Sequence, residues 1–221
     1  MKICFIDSGI GGLSVYVKYA ENQFKQKQSV EQIIYFQDTQ NSPYGSKTKN
    51  EIIALMKNNI DHLIKKYDCD IFVIACNTAT ACAIKTLRES FKEKTFVGIE
   101  PNIKNACLND GNTLVMTTTA TYFYSQYVQT YKNNEKIYFL PQNNLAKYIE
   151  KYYDNEKYLT KLMQEKLQYF KDKNIKNIVL GCTHYLYLKQ AIKSVLGNVT
   201  FFDSIDGVVN RLINIINNEK H

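Results

Sequence analysis

Short runs of β-branched and aromatic residues alternate with stretches of helical periodicity from one end of this chain to the other. The runs are KICFI at 2–6, QIIYF at 32–36, DIFVIA at 70–75, TFVGI at 95–99, TLVMT at 113–117, KIYFL at 136–140, NIVLG at 177–181 and VTFF at 199–202. Between them, Ile52, Leu55, Met56, Ile60, Leu63, Ile64 and Tyr67 share one helical face, and Leu188, Ala191, Ile192 and Val195 repeat that spacing. Strands that take turns with crossover helices predict an α/β fold on mostly parallel sheets.

At 221 residues the chain suits one large domain or two lobes. No low-complexity linker divides it, so a two-lobe plan has to show as internal similarity. VIACNTATACAIKTLRES at 73–90 aligns with VLGCTHYLYLKQAIKSV at 179–195, both reading apolar strand, cysteine, polar pair, helix. A weaker echo pairs FIDSGIGG at 5–12 with FFDSIDGVV at 201–209, although Asp203 and Ser204 read more readily as caps of the last helix. The expectation is two pseudo-symmetric α/β lobes facing each other across a cleft, one made of 1–96 plus 205–221 and the other of 97–204. The C-terminal helix then returns to the first lobe.

Ligands of parallel α/β sheets bind beyond the carboxyl ends of the strands. Asp7, Asp38, Cys76, Glu100, Thr118, Cys182 and Asp203 all follow predicted strands, so polar groups gather at one rim. Cys76 and Cys182 each stand where a helix N-terminus favours thiolate over thiol. Each also has a proton partner in reach: Asp7 on the strand neighbouring Cys76, and His184 two residues after Cys182. Two thiols in mirrored positions suit inversion of a stereocentre, which needs a base on one face of a carbon and an acid on the other.

FIDSGIGGLSV, DTQNSPYGSKT, VIACNTATA, GIEP, MTTTAT and LGCTHYLYL resemble the ordered motifs of glutamate racemases, within the aspartate/glutamate racemase superfamily. The resemblance runs from residue 3 to about 204. It implies cofactor-independent racemisation of L- and D-glutamate, with Cys76 and Cys182 as the catalytic thiols and Asp7 and His184 assisting them. Ser8, Pro43, Tyr44, Gly45, Asn77, Thr78, Thr118, Thr121 and Thr183 match positions that bind substrate. It further implies a supply of D-glutamate for peptidoglycan. The segment FLPQNNLAKYIEKYYD at 139–154 departs from the family pattern, and Glu150 within it is a candidate partner for His184 at a spacing that is not the family's. Asn102 after GIEP departs as well, standing where a small residue is common. Aspartate racemases, which more often resemble Cys-Thr-Glu at Cys182-Thr183-His184, are the nearer alternative. A member that binds an amino acid without turning it over is the more distant one.

Other classes fit less well. The net charge of +7 comes from lysines scattered among Asn, Gln and Glu without interleaved aromatics, which argues against nucleic acid. No apolar run approaches the roughly 18 residues of a membrane span, and MKICFI lacks a signal peptide's longer apolar region, so a cytoplasmic location is expected. Six cysteines without a CxxC pair read as free thiols of a reducing compartment, with Cys4, Cys82 and Cys107 as small hydrophobes. Gly9, Gly11 and Ser14 miss the third glycine of a dinucleotide loop. Cys182-x-His184 alone is too little for zinc, so no metal and no cofactor is expected. The tyrosine-rich stretch 121–131 reads as a helix that packs its rings on a lobe or joins two copies in a homodimer.

Overall fold

All eight expected strands form, and they divide into two parallel four-stranded sheets. In the first, β1 (Lys2–Asp7), β2 (Gln32–Gln37), β3 (Ile71–Ile74) and β4 (Thr95–Gly98) lie in the order β2-β1-β3-β4. In the second, β5 (Asn112–Thr118), β6 (Ile137–Gln142), β7 (Ile175–Gly181) and β8 (Thr200–Phe202) lie in the order β6-β5-β7-β8. The computed structural model describes residues 1–26 and 32–218; residues 27–31 and 219–221, which the first-lobe range also covers, lie outside the described residues.

Period-two alternation explains why both sheets are covered on both faces. Along β1, Cys4 and Ile6 point into one buried cluster while Ile3 and Phe5 point into another; Phe72 and Ile74 on β3 separate from Ile71 and Val73 in the same way. The cluster on the first face is closed by α2 (Lys49–Tyr67) and α3 (Asn77–Ser90), on the pattern of Ile52, Met56, Ile60 and Leu63. The second sheet repeats the scheme, with Leu114, Met116, Ile178 and Leu180 on one side and Val115 and Val179 on the other.

Local chemistry sets the helix ends. Thr48 caps α2 by accepting from the Glu51 amide, while the Glu51 side chain accepts in return from the Thr48 amide at 2.7 Å. Asp68 ends the helix in the left-handed region at φ 53°. Around these elements run α1 (Leu13–Gln26) in the first lobe and, in the second, α4 (Ile103–Ala106), α5 (Thr119–Tyr124), α6 (Gln126–Gln129), α7 (Leu145–Tyr152), α8 (Glu156–Leu167) and α9 (Lys189–Leu196). The last, α10 (Ile205–Asn218), buries Val208, Val209, Leu212 and Ile216 against Ile3, Phe5, Val15 and Tyr19 of the first lobe.

The chain crosses between lobes twice, and the two crossings are tied together. Asn102 Nδ2 donates to the Asp203 carbonyl at 2.9 Å, and the Ser204 hydroxyl donates to the Glu100 carbonyl. Asn102, where the family resemblance favours a small residue, therefore braces the crossing.

Two expectations are corrected. The Asp7-Ser8 and Asp203-Ser204 echo has no counterpart in topology, because β1 is an inner strand of its sheet and β8 an edge strand. The stretch 121–131 is two short helices: Ser125 closes α5 and caps α6 by accepting from the Val128 amide at 3.1 Å. A hydroxyl that competes for backbone donors ends the first helix. Tyr122, Tyr127 and Tyr131 pack their rings on the second lobe.

Candidate active site

β3 and β7 occupy equivalent places in their sheets, so the cysteines that follow them, Cys76 and Cys182, are equivalent too. Cys76 is the N-cap of α3, and its sulfur accepts from the Ala79 amide at 3.5 Å. Ser8 Oγ lies 3.7 Å from the same sulfur. Cys182 differs, because it precedes a 3-10 turn, Thr183–Leu188, rather than an α-helix, and no backbone amide caps its sulfur. His184 Nδ1 stands 3.8 Å from Cys182 Sγ instead. Both thiols are nearly closed off, at 7% and 6% exposure.

Asp7 lies between the two thiol neighbourhoods. Its carboxylate accepts from the Ser8 amide at 2.7 Å, from the Gly12 amide, and from Thr183 Oγ1 at 3.3 Å, which brings the residue after Cys182 to the residue before Ser8. Burial pushes the Asp7 carboxyl up, against the opposing pull of His184, the two amides and Cys76. The Cys76 thiol is pushed well above its ordinary value, first by burial and next by the charge of Asp7, and the influence of Cys182 adds to this. The Ala79 amide and Ser8 pull the other way and do not prevail. Cys76 is therefore held as a thiol in this state, contrary to the thiolate expected from the helix N-terminus alone.

The opposite charge balance holds on the other side. Burial would lower the His184 pKa, but hydrogen bonds to Cys182 and Glu150 and the charges of Cys182 and Asp7 outweigh it and raise it to about 10. His184 Nε2 lies 2.9 Å from Glu150 Oε1, and that oxygen also accepts from Ser42 Oγ at 2.8 Å. Glu150 of the atypical 139–154 segment thus pairs with His184. One thiol has an imidazolium beside it and the other a reluctant carboxyl.

The remaining expected residues line the surroundings. Thr78 Oγ1 lies 2.9 Å from Thr118 Oγ1 and 3.4 Å from Thr121 Oγ1, joining α3 of the first lobe to α5 of the second with three buried hydroxyls. Asn77 is buried and donates to the Ile99 carbonyl at 3.4 Å. Pro43, Tyr44 and Gly45 form the loop after β2, with Gly45 against the Thr118 side chain and the Asn143 carbonyl. Tyr44, however, turns its hydroxyl to Asp38 Oδ2 at 2.6 Å, while its buried ring packs in the apolar cluster that also contains Cys76. Asp38 also accepts from Asn41 at 2.8 Å and Asn59 at 3.0 Å; burial would raise its pKa, and these donors lower it on balance. Sequence reasoning missed Asn41 and Asn59 as anchors, since neither carries more signal than a polar residue in a loop or helix.

Gly9 and Gly11 serve close approach. A Cβ on Gly9 would overlap Glu150 Oε1 and His184 Nε2, and one on Gly11 would overlap Thr183 Oγ1 and the His184 amide. The glycines of SGIGG let the first lobe seat itself against the His184 turn. Glu100 and Asp203 follow the carboxyl ends of β4 and β8, as expected, but not beside the thiols. They line a separate cavity of 760 Å³ at the crossings, together with Arg88 and Arg211. Among the described residues no group of three or more His, Cys, Asp or Glu side chains is arranged to hold a metal ion, and no helix is long and apolar enough to cross a membrane.

Comparison with known proteins gives a consistent picture. The family described as Asp/Glu/hydantoin racemase matches residues 11–212. A glutamate racemase of Clostridium novyi is 38% identical over 205 residues, spanning 89% of this chain and 76% of that one. Among solved structures, a glutamate racemase isoform from Bacillus anthracis superposes with a TM-score of 0.81 at 27% identity, covering 98% of this chain and 82% of its own. The Francisella tularensis glutamate racemase, solved with D-glutamate, gives a TM-score of 0.80 at 29% identity, covering 99% and 81%.

Proposed function

The chain belongs to the Asp/Glu/hydantoin racemase family and is an amino-acid racemase, an isomerase, and we propose that it interconverts L- and D-glutamate by proton transfer between two thiols. The observation that carries this reading is the placement of Cys76 and Cys182 after equivalent strands of the two sheets, with Asp7 accepting from the amide of Ser8, whose hydroxyl neighbours Cys76, and from Thr183, which follows Cys182. One thiol, as thiolate, takes the α-proton: the Cα–H bond breaks, an S–H bond forms, and the electron pair moves into the substrate carboxylate as an enediolate. The other thiol then gives its proton to the opposite face, and the pair of sulfurs ends with thiol and thiolate exchanged.

Asp7 and His184 set the charge for these steps. The Cys76 thiol is costly to ionise next to Asp7, so that carboxylate, whose proton affinity burial raises, is the group beside it that takes up its proton. On the other face the charged His184 stabilises whichever form of Cys182 is anionic. The hydroxyls of Ser8, Thr78, Thr118, Thr121 and Thr183, the Asn77 amide and the Pro43–Gly45 loop hold the two carboxylates and the ammonium group of the substrate.

No cofactor enters these steps. The lobes we assign are 1–96 plus 205–221 and 97–204. The reading extends to a cytoplasmic enzyme whose D-glutamate feeds peptidoglycan, and to a homodimer in which exposed Phe123 and Tyr124 meet a second copy.

Circular dichroism or polarimetry on both glutamates and both aspartates tests the proposal, together with deuterium uptake at the α-position in heavy water. Glutamate is expected to racemise with solvent deuterium entering, and Cys76→Ser and Cys182→Ser are each expected to lose about a thousandfold or more of the rate with the fold retained. Full turnover by either variant, or no optical change with any of the four amino acids, refutes it.

A further inference from the structure

Ser42 takes no part in the proton steps above, yet it reaches across the cleft. It ends the turn Thr39–Asn41 on the first-lobe loop, which Asp38 braces through Asn41, Tyr44 and Asn59, so the hydroxyl is presented from a rigid support. Its Oγ donates at 2.8 Å to Glu150 Oε1 on α7 of the second lobe. The same oxygen binds His184 Nε2 at 2.9 Å, and His184 Nδ1 stands 3.8 Å from Cys182 Sγ. Thr78–Thr118, Thr78–Thr121 and Thr183–Asp7, hydroxyl bridges that also join the lobes, are made by residues that are buried. The Glu150 side chain keeps 25% of its exposure. The Ser42–Glu150 bond therefore sits toward the solvent edge of the contact, outside the buried bridges.

We propose that Ser42 is a positioning residue that latches the first-lobe loop onto Glu150, closing the mouth over Cys76 and Cys182. Because one carboxylate oxygen receives both donors, lobe closure and the anchoring of the His184 ring depend on the same atom. Opening the latch leaves the Ile10 amide as the remaining first-lobe hydrogen bond on Glu150, so the carboxylate moves more readily from its place and the thiols are exposed more often. This rests on the racemase reading only for its kinetic consequence; the closure itself can be measured on the free protein.

The test is the rate of alkylation of each cysteine by iodoacetamide, read by mass spectrometry on the intact protein in its native state, with exposed Cys107 as internal reference. Ser42→Ala is expected to label Cys182 and Cys76 about tenfold faster, the scale of one hydrogen bond to a charged group, with Cys107 labelling unchanged and the melting temperature lower by no more than about 4 °C. Ser42→Thr, which keeps the hydroxyl, is expected to label at the wild-type rate. With glutamate, Ser42→Ala is expected to raise KM about tenfold while kcat falls by less than about threefold. Equal labelling of Ser42→Ala and wild type overturns the latch. So does fast labelling of Ser42→Thr, or an acceleration shared by Cys107, Cys4 and Cys82 with a larger fall in melting temperature. Faster labelling of the two cleft thiols in a protein inactive on every amino acid upholds the latch and overturns the reaction assignment alone.

Discussion

Thr183 Oγ1 donates to Asp7 Oδ2 at 3.3 Å, so the residue that follows one thiol is bonded to the carboxylate that adjoins the other. The bond is buried and crosses from the second lobe to the first. Thr183→Val keeps the shape and removes the donor. It is expected to lower kcat/KM about tenfold with little change in melting temperature. Steady-state kinetics beside a thermal melt checks this, and an unchanged kcat/KM would show that Asp7 needs no fixing from that side.

His184 gives a stability signature with a definite sign. Its pKa is about 10 in the folded protein against an ordinary 6.5, since hydrogen bonds to Cys182 and Glu150 and nearby negative charge outweigh the downward pull of burial. Between those values the folded state holds a proton that the unfolded chain has released. The contribution is complete below 6.5 and lost as pH rises through about 10. Urea unfolding of wild type and His184→Gln across that window is expected to show the wild-type advantage shrinking as pH rises. A difference that stays constant with pH contradicts the assignment.

Gly9→Ala tests close approach. Its backbone, at φ −150°, is one any residue adopts, so the penalty is purely steric: the added methyl overlaps Glu150 Oε1 and His184 Nε2. The expected outcome is about 1–3 kcal/mol of destabilisation from overpacking. A loss of activity of about a hundredfold accompanies it as the imidazole shifts from Cys182. Denaturation and turnover of the one variant measure both.

Tyr44→Phe separates support from chemistry. The hydroxyl is engaged by Asp38, so its removal is expected to cost about 1–3 kcal/mol in urea unfolding at neutral pH and to leave kcat within about threefold. Since Asp38 is held below the usual carboxylate range, the stability this bond supplies is present above the ordinary value of 3.8 and fades as pH falls below it. A large fall in kcat with unchanged stability would place the hydroxyl in the reaction instead.

Much of the fold was readable because parallel strands advertise themselves. The runs around Phe5, Val73, Val115 and Val179 are apolar on both faces, and only a doubly covered sheet makes use of that. The thiol pair was legible for a related reason, as Cys76 and Cys182 end equivalent strands and sequence order preserves equivalence. The pairing of Glu150 with His184 was only half legible: the residue was in view, but its register depends on how the 139–154 segment bends. Ser42 and Asn59 were invisible, because a small polar side chain says nothing about which surface it will meet. Asp203, a local match to Asp7, follows an edge strand, and its side chain accepts from the Ile205 amide at the start of α10, in keeping with the helix-capping reading of the sequence.

The matching strand orders of the two sheets set how alike the two thiols can be. Equivalent strands deliver both sulfurs to equivalent places, while the groups beside them come from elements that the strand order does not govern: Ser8 and its Asp7 carboxylate on one side, an imidazole on the other. A frame repeated twice thus carries two sulfurs that answer to opposite charges.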